Sequence, residues 1–574
     1  MKYLLFLIIF SISPLSFSQN ITINVGEGKY ILDETLNLIV CNEDITNYTN
    51  LTGSTSVTIV LNGNNYIFST VPNSIVYGIQ YLVNYNSQEY KLYFSQLPLI
   101  NITPSQEIVD EPKVSASFIF TDTTSAQSIT SFCGIEYRGG LSQTYPKKSF
   151  SIEFWLDETG VETKKLSFLN MRNDDDWMLL AMYKEVLKIR SAMNLDLWRK
   201  IHTPYYIDRE PDALATIRTK YVEVAVNNEY LGIYAFGEKV DRKQLKLKKY
   251  NNAIRGEIYK GSERREGTIF YDLPPYDNQL PPYDNTIRLW AGFEMKYPKE
   301  SEITDWSNLY NFANFVIYEP GASFQQNISS KFKLENAIDY FIFLNLLNAV
   351  DNRGKNLYIA KYKENEPYFY VPWDLDGTWG VDALGEQDNN YETILVNGLY
   401  TRLLNSANNI FKDSASNRWA ELRTDILDET NLKNTLSQTY NFLFSNGNYE
   451  REVLKWGEQS VELSNLNYTY QWIEDRLIFL DNYFESTILS TNTYLAQKNT
   501  FTIYPNPVNT SFKIESSIKP FYYKIYTLNG LLLQKGTLSN DKTINIQGFT
   551  KGVYMITLFN NNNRYLGNSK LIKN

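Results

Sequence analysis

Asp351, Asn356, Asp374 and Asp376 are the residues whose spacing suggests chemistry in the stretch Asn336–Gly380, NAIDYFIFLNLLNAVDNRGKNLYIAKYKENEPYFYVPWDLDGTWG. Asp351 ends an apolar run, Asn356 stands five positions later, and Asp374 and Asp376 close the stretch beside Gly377. Two carboxylates and an amide are hard oxygen ligands suited to a divalent cation. An Asp held beside them is placed to accept a proton from a hydroxyl, so the chemistry within reach is phosphoryl transfer. The elements that must position these groups are a buried helix over Ile338–Val350, an acidic loop, the strand-like runs LYIAKY and YFYVPW, and an acidic turn.

A phosphate needs cations and backbone donors as well. The strands GIEYR and SFSIEFW flank a loop that begins at Arg138, Gly139 and Gly140 and ends at Lys147 and Lys148. A glycine-bearing hairpin lets backbone N–H groups approach phosphate oxygens, and a lysine on the following strand offsets their charge. Alone, such a pattern more often marks an ordinary turn with a solvated lysine edge. Lys148 is the first choice for the phosphate contact, with Lys147, Lys239 and Lys260 as rivals. Glu185 lies on a predicted helix, YKEVLKIRSAMNLDLWRKI, from which it could pair with that lysine. Glu238 ends the predicted hairpin YVEVAVNNEYLGIYAFGEKV, ahead of a basic predicted helix, DRKQLKLKK, where a hinge between two lobes would fall. Asp174, Asp175 and Asp176 lack the alternation and distal Glu of a Ca²⁺ loop and are expected to form a turn and a helix cap.

Composition narrows the choices. The chain has 574 residues, room for roughly three to five domains. Its net charge of −9 and pI near 5.1 give no basic footprint for nucleic acid. A single histidine, His202, removes every centre needing two imidazoles; it is expected at the surface or at a helix end. Cys41 and Cys133 allow one bridge and no disulfide framework.

Residues 1–18, with Lys2, the core LLFLIIF and a small-x-small end, form an expected secretory signal peptide. No later apolar run is long enough for a transmembrane anchor. Residues 19–105 alternate and turn, with Asn62-Gly63 as a hairpin, and predict a β-sandwich-like module. Residues 106–486 form a central α+β domain, interrupted by the proline-rich duplication LPPYDNQLPPYDN that is expected to be an exposed loop. A linker, 487–500, precedes a C-terminal β-sandwich, 501–574.

Two resemblances follow from these blocks. YRGGLSQTYPKKSFSIEF, DWMLLAMYKEVLKIRSAMNLDLW, YVEVAVNNEYLGIYAFGEKVDRKQLK, GEIYKG and VPWDLDGTWG resemble the CotH kinase family. The resemblance implies an atypical protein-kinase-like fold that uses ATP and Mg²⁺ or Mn²⁺ to phosphorylate Ser or Thr of a protein substrate. Asp351 would then be the catalytic Asp, Asn356 and Asp374 the metal ligands, and Asp376 a second candidate ligand. YPNPVNTSF, YKIYTLNG, KGVYMITL and KLIK resemble the type IX secretion sorting domain of Bacteroidota, which implies handling by that machinery and delivery to the cell surface or beyond. Against the kinase stand a non-catalytic surface or matrix protein on the same fold and, more distantly, a Ca²⁺-binding adhesin.

Overall fold

The computed structural model describes residues 19–123, 128–274, 282–457, 463–489, 501–516, 522–527, 532–538, 542–559 and 565–574. The expected signal peptide, the middle of the proline-rich duplication and the linker from residue 490 lie outside these. The chain divides into two compact units, Met1–Asn482 and Tyr483–Asn574.

The first unit opens with one seven-stranded sheet, not two packed sheets. Its order runs from Gln19–Val25 through Ser54–Leu61, Asn64–Phe68, Tyr81–Tyr85, Gln88–Phe94 and Leu38–Cys41 to Tyr30–Asp33. Ile23 on one edge strand and Ile39 near the other share a single core with Val57, Ile59, Val83 and Leu92, so the sheet curls over itself. Asn62 and Gly63 both have positive φ, the two-residue turn that matches strand twist.

Next comes a closed barrel of seven strands: Leu99–Pro104, Val114–Thr121, Ile129–Arg138, Ser149–Trp155, Asp176–Leu180, Thr219–Val226 and Glu229–Gly237. Leu99–Pro104 pairs in parallel with Thr219–Val226, so this strand, expected in the N-terminal module, belongs to the barrel. Alternating residues fill the interior with rings: Phe168 packs edge-on against Trp177 and Phe236, with centroids 5.1 and 5.2 Å away. Cys133 is buried in this core and Cys41 in the N-terminal one; both are free thiols.

A second, antiparallel sheet has the order Leu289–Trp290, Phe293–Tyr297, Glu257–Gly261, Leu357–Lys361, Tyr368–Pro372. The helix Leu334–Leu347 packs against its last strand and is buried on nearly every side, which explains its almost uninterrupted apolar sequence. Helices Ile410–Arg423, Glu429–Ser445, Asn448–Trp456 and Leu463–Leu489 follow. Among the described residues no helix is long and apolar enough to cross a membrane.

Four local expectations are corrected. The helix expected from Tyr183 begins only at Arg190, because Met182 and Lys188 adopt positive φ and break the periodic run. Residues 241–247 form turns and no helix. Asp176 opens a strand, and Asp174 and Asp175 meet Lys243 at 2.7 and 2.5 Å instead of capping a helix. His202 does end the helix Arg190–Ile201, one of its two expected places, but it is buried and not at the surface: its Nδ1 lies 2.8 Å from Asp339 Oδ2, and Asn336 Nδ2 lies 3.1 Å from its Nε2.

The second unit consists of a three-stranded sheet, Phe501–Tyr504, Ser511–Ser516 and Thr543–Asn545, and a four-stranded one, Leu532–Thr537, Tyr522–Thr527, Gly552–Phe559 and Tyr565–Lys573. Phe512 and Ile514 of the first share a core with Ile525, Ile556 and Leu571 of the second, the expected sandwich.

Candidate functional site

Asn348 ends the buried helix in the left-handed conformation that a short polar side chain tolerates, and Asp351–Arg353 follow as one 3₁₀ turn. Asn356 and Asp374 also have positive φ, 56° and 54°, and flank the two strands that connect them. Asn352, which sequence reasoning missed, clamps both: buried, it donates through Nδ2 to Asn356 O at 2.6 Å and to Trp373 O at 2.7 Å. Asn356 N donates to Gly261 O at 3.0 Å, joining the loop to the neighbouring strand. Backbones touch there, since a Cβ on Gly261 would lie 1.8 Å from Gly354 O.

The acidic turn is anchored from the other side by Asn194, a fully buried residue of the helix Arg190–Ile201. Its Nδ2 donates to Thr378 Oγ1 at 2.9 Å and Leu375 O at 3.1 Å, and its Oδ1 accepts from Trp379 Nε1 at 2.7 Å. Asn194 too gave no sign in the sequence, where an Asn inside a helical run carries no signature.

Asp374 keeps an exposed edge but sits in a crowded recess. Burial raises its pKa; Lys260, Arg138 and Lys355 pull it back, and Asp351 adds to the rise. Asp376 is pushed up to about 8 by burial, then by Asp374 and Glu185. Asp351 is ion-paired with the exposed Arg264 and lies 3.9 Å from Lys355.

Four polar side chains in this recess have no hydrogen bond or ion pair among the described residues: Asn356, Asp374, Lys260 and Arg138. Arg138 stacks over the Trp373 ring, 5.4 Å from its centroid, and its pKa is lowered by burial and partly restored by Tyr358 and Asp374. Lys260, on the central strand of the second sheet, is likewise lowered by burial and by Lys296, with Asp374 opposing. The barrel thus contributes Arg138 and the second sheet Lys260 to the same carboxylate.

The other sequence candidates are committed inside the protein. Lys147 is buried on Glu452 Oε1 at 2.5 Å and Ile233 O at 2.6 Å; burial brings its pKa down to about 8. Lys148, its neighbour, donates to Gln143 O at 2.6 Å. Gly139, with φ 101°, keeps the loop tight, as a Cβ there would lie 2.0 Å from Ser142 Oγ. Glu185 accepts the N–H groups of Ile189 and Arg190 and so caps the helix it was expected to ride on. Glu238 is buried in an ion pair with Arg218 at 2.5 Å, away from the recess. Among the described residues, the group of three carboxylates close enough together to share one ion is Asp174, Asp175 and Asp176, already paired with Arg172, Lys243 and Lys239.

Residues 135–480 match the CotH kinase protein family, more than half of the chain. The chain belongs to that family. The CotH region begins on the barrel strand that carries Arg138 and ends inside the last long helix, so it contains the whole recess. A curated relative, the inner spore coat protein H of Bacillus subtilis (strain 168), is 22% identical over 254 residues, which cover 44% of this chain and 60% of the relative. Residues 502–574 match the secretion system C-terminal sorting domain, coinciding with the second sandwich. This CotH chain therefore carries a tail for type IX secretion to the cell surface or outside.

In kind, the groups in the recess fit a divalent cation and a phosphate: Asn356 and Asp374 offer hard oxygens, and Lys260 and Arg138 offer cations that act on Asp374 without an ion pair to it among the described residues.

Proposed function

We propose that this CotH-family protein is an exported phosphotransferase that moves the γ-phosphate of ATP to a Ser or Thr hydroxyl of a protein, on an atypical kinase-like domain. The observation that carries this reading is the set of four uncommitted side chains, Asn356, Asp374, Lys260 and Arg138, converging beside Asp351. Proteins rarely leave recessed charges unpaired unless a ligand completes them. Asn356 and Asp374, with Asp376 as a second carboxylate, would hold Mg²⁺ or Mn²⁺, which supplies charge stabilisation on the transferring group. Lys260 and Arg138 offset the remaining phosphate charge, a role first given to Lys148 and Lys147. Asp351 orients the acceptor hydroxyl and takes its proton as the new oxygen–phosphorus bond forms, the bond to the bridging oxygen breaks, and ADP leaves.

A second reading, a binding scaffold on the same fold, is favoured by one observation. Arg264 already occupies Asp351. This pair is exposed on the Arg264 side, where such contacts are worth at most about 1 kcal/mol, so a substrate could displace it.

Labelled ATP with Mg²⁺ or Mn²⁺ separates the two. Autophosphorylation is expected, and Asp351→Asn, Asp374→Asn and Lys260→Met should each lower it by at least about a hundredfold. If neither metal with ATP raises the melting temperature, the scaffold reading stands instead.

A further inference from the structure

One stretch of the chain is unused by the chemistry just described. Residues 45–88 contain no Asp, Glu, Lys, Arg or His, although 21% of the chain is charged. Eight Asn, six Thr and five Ser stand in their place. A solvated sheet ordinarily carries charges on its outer side for solubility and against stray pairing, so their absence over this length points to what the surface meets.

These residues build Ser54–Leu61, Asn64–Phe68 and Tyr81–Tyr85, three neighbouring strands of the N-terminal sheet, with Gln19–Val25 as the edge strand beside them. Val57, Ile59, Tyr66, Phe68 and Val83 belong to the core. The opposite face therefore presents Thr22, Thr58, Ile67 and Asn84 as one cross-strand row, and Asn24, Val60 and Asn65 as a second. Ile67 is 51% exposed and Leu82, on the same face, 39%. Thr22, Asn24, Thr58 and Asn65 make no side-chain hydrogen bond among the described residues. Charge returns only at the borders, with one group of each sign at either side: Glu89 and Lys91 on the next strand, Glu27 and Lys29 past the end of the edge strand. Three inter-strand steps of about 4.8 Å make the uncharged face about 14 Å wide.

The other half of this same face shows what the sheet does where it meets protein. Leu38, Val40 and Tyr93 share a core with Leu99, Ala225 and Tyr230, so that half is close-packed and apolar. The free half carries amides and hydroxyls instead. A protein partner calls for aromatic anchors and Arg, a nucleic acid or an anionic lipid for Lys and Arg, and the two rows hold none of these. A neutral glycan calls for what they do hold. Each sugar hydroxyl donates and accepts, as Thr and Asn side chains do, and the C–H face of a sugar ring packs on exposed aliphatic groups such as Ile67 and Leu82.

We propose that the outer face of Gln19–Val25, Ser54–Leu61, Asn64–Phe68 and Tyr81–Tyr85 binds a neutral polysaccharide. This goes beyond the phosphotransfer reading and does not depend on it.

The full chain is titrated with soluble mixed-linkage β-glucan, xyloglucan, galactomannan and amylopectin, and with polygalacturonate as an anionic control. Binding to at least one neutral polymer is expected, changing by less than about twofold between about 50 and about 500 mM NaCl because no ion pair is there to be screened. Polygalacturonate should not bind. Thr58→Lys and Asn65→Lys each place an unpaired charge under the glycan and should weaken binding by at least about tenfold, with the melting temperature held within about 2 °C. Should Thr58→Lys fail to fold, Ile67→Asp on the neighbouring strand carries the same test. Absence of binding to every neutral polymer, binding lost at the higher salt, or binding that ignores the variants overturns the assignment. So does a dimer in sedimentation that Thr58→Lys dissociates, because a second copy would then cover the face.

Discussion

Asn352 spans the two segments that carry the candidate ligands, yet it touches no ligand itself. Its Nδ2 is the donor for two carbonyls, so Asn352→Ala takes the side-chain donor from Trp373 O and leaves Asn356 O with only Trp373 N at 3.2 Å, at a cost of about 1–3 kcal/mol. Lower melting temperature is expected, together with weaker Mn²⁺-dependent stabilisation, because the loop and the turn are no longer held in register. A variant that loses stability but keeps its full response to Mn²⁺ would show the clamp to be purely structural. The acidic residues themselves were legible from spacing, since Asp351, Asn356, Asp374 and Asp376 are brought near one another by two short strands whose lengths the sequence displays. Which of the four candidate lysines faces the acidic turn was not. Lys147 and Lys148 stand just before the strand Ser149–Trp155, one buried on Glu452 and the other bonded to Gln143 O, and where the loop that carries them lies depends on barrel closure that no local pattern encodes. Lys260 stands instead on a strand distant in sequence and beside the acidic turn in space.

Single elements explain other departures. Strands were legible because alternation and Asn-Gly or Asn-Asn turns mark them locally, as at Asn227-Asn228, where both residues have positive φ. The start of the helix Arg190–Ile201 was not, because its cap comes from Glu185, a strong helix former in the turn before it. Glu185→Gln retains the carboxamide oxygen as acceptor, whereas Glu185→Ala removes it. Alanine should therefore be less stable than glutamine by about 0.5–2 kcal/mol in denaturant titration, and equal stability would show that the cap contributes nothing. The helix Asn448–Trp456 is bolted to the barrel by Arg451, which meets Glu223 at 2.7 Å with both side chains fully buried. Burial alone would raise the Glu223 pKa, but the Arg451 charge and hydrogen bonds from Arg451, Ser95 and Tyr230 outweigh it and hold the group below the usual range. A carboxylate depressed on folding stabilises the protein above its unfolded pKa, about 4.3, and loses that contribution as pH falls through the folded value. Melting temperature should drop steeply below about pH 4, and Glu223→Gln, though less stable throughout, should have a shallower acid limb.

At the scale of the molecule, the chain combines an N-terminal sheet and a CotH domain in one compact unit with a sorting sandwich in another. Composition foretold several domains, and the C-terminal module was plain because its strands and turns are short-range features. Leu99–Pro104 looks like its N-terminal neighbours in sequence, yet it pairs antiparallel with Val114–Thr121 and in parallel with Thr219–Val226, a partner more than a hundred residues away. A chain ending at Leu489 is expected to melt within about 2 °C of the corresponding transition in the full chain, since a ΔΔG well below 1 kcal/mol moves a large unit little. A larger loss would mean that the tail supports the first unit's fold.

The left-handed backbone at Asn356 and Asp374 has a consequence for how this domain can drift. Glycine is the residue that such backbone accepts best, and Asp and Asn are the side chains that tolerate it next. Replacement of Asp374 by alanine or glutamate thus mixes lost chemistry with about 1–2 kcal/mol of backbone strain. Glycine at either position removes a candidate ligand while relieving the turn. Loss of a candidate ligand here lies one substitution away without damage to the backbone, so exported relatives with a glycine at either place are expected to be well folded and to show no Mn²⁺-dependent rise in melting temperature.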